Sequence, residues 1–270
     1  MCSSDLMACR AVCADMETLA CYSFADAFAA VREGRARLAM IPIDNTVAGR
    51  VADIHHLLPA SKLHIVGEHY QRVVHHLLAL PGTEIGDLTH VHSHVHALNQ
   101  CRGLLDDLRV EPRVHADTAG AAHMIKNLGD ATQGAIASEL AAEIYGLDVL
   151  RANIEDAEHN TTRFLIMAAK PDVPKLGQGK VVTSFVFRVK NIPAALCKAL
   201  GGFASNGINR TKRESYLVGG SFQAAQFFAE VEGHPEDPAM VRAFEELAFF
   251  THEVTLMGAY TAAPARDEIG

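Results

Sequence analysis

Between residues 88 and 150, short apolar stretches alternate with longer amphipathic ones. That alternation restricts the fold more than any other feature of the chain. Residues 88–92 read as a strand, 95–108 as a helix, 113–115 as extended chain and 118–128 as a helix. Residues 134–137 then read as a strand, 138–145 as a helix with Ser138 as its N-cap, and 147–150 as a strand. Strands joined through helices form an α/β sheet with right-handed crossovers. Upstream, 5–14 reads as a helix, 17–21 as a short strand and 24–32 as an alanine-rich helix ended by Gly34. Residues 37–43 follow as a buried strand, 49–58 as a helix stopped by Pro59, and 64–69 and 73–80 as β-rich runs.

The pattern changes after residue 168. Residues 170–180 hold two prolines, two glycines and three lysines and little to bury, which marks a linker. Beyond it come a strand (181–189), a helix (193–205), strands (209–217 and 221–232) with Gly219-Gly220 as a hairpin turn, a helix (238–250) and a strand (253–260). This βαββαβ order is that of a ferredoxin-like unit. The tail after Pro264 reads as loose chain.

A chain of 270 residues has room for two cores. Its formal charge of −8 argues against nucleic-acid binding as a main task. No apolar run approaches the roughly 18 residues of a membrane span. The first residues lack a basic stretch followed by an apolar block, so they do not form a secretory signal. The six cysteines include no Cys-x-x-Cys pair and read as reduced thiols, by default core residues, of a cytoplasmic protein.

Two polar clusters at strand ends carry the chemistry. Asn160, Thr161, Thr162 and Arg163 precede the apolar run 164–167, and residues 39–43 run into Asp44, Asn45, Thr46 and Gly49. Amide, hydroxyl and guanidinium groups at the mouth of a strand read either as ligand-binding groups, since open α/β sheets bind ligands at strand ends, or as a polar turn into a core strand.

The sequences Pro42-Ile43-Asp44-Asn45-Thr46-Val47-Ala48-Gly49 and Asn160-Thr161-Thr162-Arg163-Phe164 resemble the early and late motifs of the prephenate dehydratase family. Ser93-His94, Asp117-Thr118-Ala119-Gly120-Ala121-Ala122 and the C-terminal unit continue the resemblance over nearly the whole chain. It implies a two-lobed catalytic domain over 1–170, like a small periplasmic binding protein, with the second lobe at about 73–150 and a cleft between lobes. An amino-acid-sensing ACT domain follows over 181–262. The implied reaction is the decarboxylating dehydration of prephenate to phenylpyruvate, without metal or organic cofactor. Thr162, Asn45 and Asp44 take the catalytic positions, and Ser93, Gln100, Thr118, Arg163 and Asn160 the substrate-binding ones. The side chain of Arg163 points opposite to that of Thr162 on an extended strand, so it suits a structural brace as well as a carboxylate contact. Asp117 is expected to cap the helix that Thr118 opens.

Pro193, Ala194, Ala195 and Leu196 match the first strand-to-helix turn of ACT domains, where Pro-Gly-Ala-Leu is usual, and Glu214-Ser215 matches half of a Glu-Ser-Arg-Pro motif. Feedback by L-phenylalanine and a homodimer or homotetramer follow from the resemblance. Asp44 stands where the family has Glu, and Val95 where a Pro is common. Family members begin with a strand and Gly-rich turn. Here residues 3–6 match only the first helix, so that strand is expected to be missing and activity and stability impaired. Two rival readings stand beside this one: a non-catalytic amino-acid-binding sensor, and an arogenate dehydratase. His90, His92, His94 and His96 alternate, but no partner sits at a usual ligand spacing, so no metal site is expected.

Overall fold

The computed structural model describes residues 3–157, 159–217 and 225–269. It forms two compact units, one of Met1–Ala20, Asp44–Arg50 and Gln71–Arg163, the other of Cys21–Ile43, Val51–Tyr70 and Phe164–Gly270.

Helix α1 (Ser3–Val12) leads through irregular chain to α2 (Phe24–Arg32), whose start is set by the Asp26 amide donating to Ser23 Oγ at 3.1 Å. The strand expected over 17–21 does not form: the chain there is irregular and Leu19 lies open to solvent, with no buried face to hold it in a sheet. Strand β1 (Leu38–Asn45) alternates buried and half-buried residues and turns back into the two-residue β2 (Gly49–Arg50). Helix α3 (Ala52–Ala60) starts later than the sequence suggests and keeps Pro59 inside its last turn. A proline there removes one bond near a helix end that is closing anyway. Strand β3 (His64–Arg72) and strand β4 (His76–Ala79) follow.

Strand β5 (His90–Ser93) opens the alternating region. The expected single helix over 95–108 is two, α4 (Val95–Gln100) and α5 (Arg102–Leu108), parted at Cys101 with φ −127° and ψ 27°. Asp156 makes the second start possible: its carboxylate accepts from the Arg102 and Gly103 amides at 2.9 and 3.2 Å. Then come β6 (Glu111–Val114), α6 (Thr118–Leu128), β7 (Gln133–Ala137), α7 (Glu139–Tyr145), β8 (Asp148–Arg151) and β9 (Thr161–Ala168). Asp117 and Ser138 cap α6 and α7 through the Gly120 and Ala141 amides.

In the first unit five strands lie in the order β6-β5-β7-β4-β8, with β5 parallel to β6 and β7, and β4 antiparallel to β7 and β8. Leu77 belongs to the core beneath one face and Leu78 to the core beneath the other, as a period of two requires. Strands β1, β2, β3 and β9 form a second sheet in the order β2-β1-β9-β3.

The C-terminal stretch gives β10 (Val181–Val189), α8 (Ala195–Ser205), β11 (Arg210–Leu217), β12 (Ala225–Glu232), α9 (Pro238–Phe250) and β13 (Thr251–Thr261). Its sheet runs β11-β12-β10-β13 and is antiparallel throughout, the βαββαβ arrangement. The Gly219-Gly220 turn lies outside the described residues. Phe185, Phe187 and Phe227 pack with Phe203 and Leu247 of the helices, while Val182, Val186, Phe228 and Tyr260 join Ile41, Ile43, Ile65, Leu165 and Met167 in a second core. Gly258 of β13 sits where a Cβ would lie 2.0 Å from the Ile65 carbonyl oxygen, so only glycine fits that approach.

The tail is not loose. Residues Ala265–Ile269 form α10, and Arg266 lays two guanidinium nitrogens on Glu68 at 2.8 and 2.6 Å and reaches Glu230 at 3.4 Å. Both carboxylates are buried, which no tail composition reveals. Cysteines expected in cores divide: Cys101 is buried, with its thiol pushed up to about 12 by burial and then by Asp156 and Glu155, while Cys197 is exposed. Among the described residues no helix is long and apolar enough to cross a membrane.

Candidate active site

Asn45 sits at the end of β1, one residue before a tight turn that fixes its side chain. The Val47 and Ala48 amides both donate to Asn45 Oδ1, at 2.9 and 2.7 Å. Its Nδ2 is thereby turned the other way, donating to Asn160 Oδ1 at 2.7 Å and to Thr162 Oγ1 at 2.9 Å. Asn160 in turn donates through Nδ2 to Gln100 Oε1 at 2.8 Å. Four residues expected from sequence, Asn45, Asn160, Thr162 and Gln100, thus form one connected group of neutral amides and a hydroxyl.

The backbone explains why they meet. Thr46 and Thr161 bind each other twice, amide to carbonyl at 3.0 Å and amide to hydroxyl at 2.9 Å, which ties the end of β1 to the start of β9. On extended chain, residues 160 and 162 then share a face. Gln100 is the last residue of α4. The break at Cys101 frees its carbonyl to accept from the Asp156 amide at 2.6 Å, and so pins the residue beneath Asn160.

The same alternation sends Asp44 and Arg163 elsewhere. They face one another, 3.8 Å apart, with the Arg163 side chain buried and Asp44 half-buried. Arg163 and Asp44 thus pair with each other, as a brace between β9 and β1 would. Ser93, fully buried, donates its hydroxyl to the Ile136 carbonyl at 2.6 Å. Thr118 is buried in the first turn of α6, beside the Asp117 cap. Ser93 ends strand β5, and Thr118 opens α6 just after strand β6.

One member of the network was not marked by sequence reasoning. His75, buried just ahead of β4, lies with Nε2 2.8 Å from Gln100 Oε1. Burial holds its imidazole pKa below the ordinary value, against the pull of the Gln100 bond and Glu155. The signal in the chain, a His-His pair within an apolar run, is that of an ordinary core histidine. The alternating histidines go their own ways: His90 toward Glu111 at 3.3 Å, His92 to Gln133 at 2.8 Å, and His94 onto the His96 amide at 3.3 Å. Among the described residues no group of three His, Cys, Asp or Glu is placed to hold a metal ion.

In the C-terminal unit, a cavity of about 910 Å³ opens beside the turn before α8. Ala194, Ala195 and Leu196 line it, with Arg210 and Arg213 of β11; Pro193, Glu214 and Ser215 are not among its lining residues. Ala194 holds φ 57°, a left-handed conformation that favours glycine.

These features define a mixed α/β protein whose site is built from neutral hydrogen-bond donors and carries no cluster of metal ligands among its described residues. The sequence profile of prephenate dehydratase matches residues 4–172. Over 264 residues the chain is 50% identical to the bifunctional N-acyl-homoserine lactone acylase/prephenate dehydratase of Komagataeibacter europaeus, covering 97% of this chain and 93% of that one. It is 36% identical over 244 residues to the bifunctional chorismate mutase/prephenate dehydratase of Aquifex aeolicus, covering 90% of this chain and 66% of that longer one. A solved structure described as GqqA, a novel type of quorum quenching acylase, superposes with a TM-score of 0.92 at 50% identity, over 98% of this chain and 96% of that one. Prephenate dehydratase of Arthrobacter aurescens in complex with L-Phe superposes with a TM-score of 0.86 at 29% identity, over 95% and 86%. The chain belongs to the prephenate dehydratase family.

Proposed function

We propose that this protein converts prephenate to phenylpyruvate, carbon dioxide and water. The observation that carries the reading is the state of the Thr162 hydroxyl: it accepts from Asn45 and, among the described residues, gives its own proton to no partner. In the reaction the bond from the ring to its carboxylate breaks, the electron pair enters the ring, and the C4 hydroxyl departs, taking up one proton from solvent to leave as water. Thr162 donates its hydrogen bond to that departing oxygen, and the Asn45 bond strengthens it as a donor. Gln100 Nε2 holds a substrate oxygen. Because the network is neutral, it orients a dianion without cancelling the charge on the carboxylate that must leave.

The architecture in this reading is a two-lobed catalytic domain with Ser93 and Thr118 in its cleft, followed by an ACT domain. L-phenylalanine acts as feedback effector at Ala194–Leu196 and β11, where the helix N-terminus and the nearby arginines suit a carboxylate. The Arthrobacter relative bound to L-Phe supports that choice of effector. The protein works in the cytoplasm as a homodimer or homotetramer. Purified protein incubated with prephenate and read as phenylpyruvate absorbance in alkali tests the activity. Thr162→Ala should lower kcat about a hundredfold or more, and a variant as fast as the parent would remove Thr162 from the mechanism. Arogenate offered beside prephenate decides the substrate.

A second reading rests on the Komagataeibacter relative, 50% identical over most of both chains and described as an acylase as well. N-acyl-homoserine lactone supplied alone, with free fatty acid as the readout, decides whether this chain also cleaves that amide.

A further inference from the structure

We propose that His75 is a positioning residue of the dehydratase site, holding the Gln100 amide so that its NH2 group is presented to substrate. The inference rests on the dehydratase reading for its function and on the hydrogen-bond network for its geometry. Each direction in that network follows from the one before. Backbone N–H groups can only donate, so Asn45 Oδ1 accepts and Nδ2 donates. Asn160 Oδ1 then accepts, so its Nδ2 donates to Gln100. Gln100 Oε1 can only accept, so His75 Nε2 carries the proton that bridges them. The neutral ring that burial favours supplies that proton without placing a charge beneath the site.

Two donors on Oε1 do what one cannot. Turning the Gln100 amide over would set its NH2 against that of Asn160 and force the His75 ring into its Nδ1–H tautomer. Without His75 only the clash with Asn160 opposes the turn. The Gln100 NH2, which donates to no partner among the described residues, then loses its fixed aim. His75 is itself held firmly: its amide donates to Glu155 Oε2 at 3.1 Å, and its carbonyl accepts from Ile154 at 3.0 Å. The same short loop binds the Gln100 carbonyl through the Asp156 amide. Residues 154–156 therefore set the distance between ring and amide.

The test is a double-mutant cycle. His75→Leu fills the ring's space without a donor, and His75→Gln keeps an N–H. With folding checked by near-UV circular dichroism, His75→Leu should lower kcat roughly tenfold with little change in KM, and His75→Gln should restore most of it. In the Gln100→Ala background, His75→Leu should change nothing further, because its effect passes through Gln100. Equal losses in both backgrounds would overturn the proposal. Nitrogen NMR of the imidazole gives a readout independent of turnover, with Nε2 protonated and Nδ1 bare at neutral pH. An Nδ1–H ring overturns the proposal outright. A wild-type protein with the Nε2–H ring but no turnover overturns the dehydratase reading, and the positioning role with it, while leaving the network as described.

Discussion

Neighbouring residues here do separate work because strand geometry sends them to opposite faces. Asn45 and Thr162 meet on one face, Asp44 and Arg163 on the other. The motif residues stood out in the sequence as polar clusters at strand ends and, above all, through their resemblance to the family's motifs. Which of them share a face was legible only as an alternation; the pairing of β1 with β9 had to be seen. His75 was not legible, because a histidine in an apolar run carries the same signal whether or not it serves a site. Its titration gives a test. The pKa of His75 is lowered chiefly by burial and further by His76, while Gln100 and Glu155 oppose the shift; that of His94 is lowered by burial and His96, with Asp117 opposing. Above about pH 6.5 both rings are neutral in folded and unfolded chains and contribute no pH dependence. As pH falls through that value, the unfolded chain takes up protons that the folded one refuses, so stability declines. Urea unfolding at about pH 7.5 and about pH 5.5 should show a lower midpoint in acid, and His75→Gln should shrink the difference. An unchanged difference in that variant would remove His75 as a source.

At the scale of elements, periodic helices and strands with their caps were readable. Four spans, 24–32, 118–128, 181–189 and 238–250, fall where the pattern puts them. Two of the misses share a cause, in that each depends on a distant partner. The helix over 95–108 breaks because Asp156, far along the chain, caps a second start at Arg102. The tail becomes helical where Arg266 finds two buried carboxylates. The turn before α8 shows the converse, a local departure whose strain the sequence does announce. Ala194 occupies a left-handed conformation that costs an L-residue with a Cβ on the order of 1 kcal/mol. Ala194→Gly should therefore raise stability by about 0.5 kcal/mol, after the glycine's own loss of chain freedom is deducted. Denaturant midpoints of the two proteins measure it, and a destabilised variant would show that contacts of the Ala194 methyl outweigh the strain. Because the residue lines the cavity, titration with L-phenylalanine on the same pair would also reveal whether relieving the turn alters effector affinity.

Across the molecule, the most exacting junction lies in the second unit, where one arginine answers two carboxylates. Glu68 of β3 and Glu230 of β12 have side chains without solvent exposure, and Arg266 stands between them with 13% of its own exposed. The Ala263 amide adds a bond to Glu68 at 3.0 Å, and Tyr260 adds one to Glu230 at 3.3 Å. These neutral donors share with Arg266 the task of holding the two carboxylates. Removing the arginine takes its charge away from two buried carboxylates. Breaking a buried ion pair from one side costs about 3–5 kcal/mol, most of it the penalty of the charge left behind. Arg266→Met should therefore lower stability by about that amount, far more than a surface arginine would. Adding Glu68→Gln to that variant should recover a large part of the loss, since it removes the charge that Arg266 contacts most closely. Thermal and urea unfolding of the three proteins give the comparison. If Arg266→Met unfolds like the parent, α10 contributes nothing to holding the β3 strand against the C-terminal sheet. If the double variant is no better than the single one, the cost lies in lost packing of the arginine stem rather than in stranded charge.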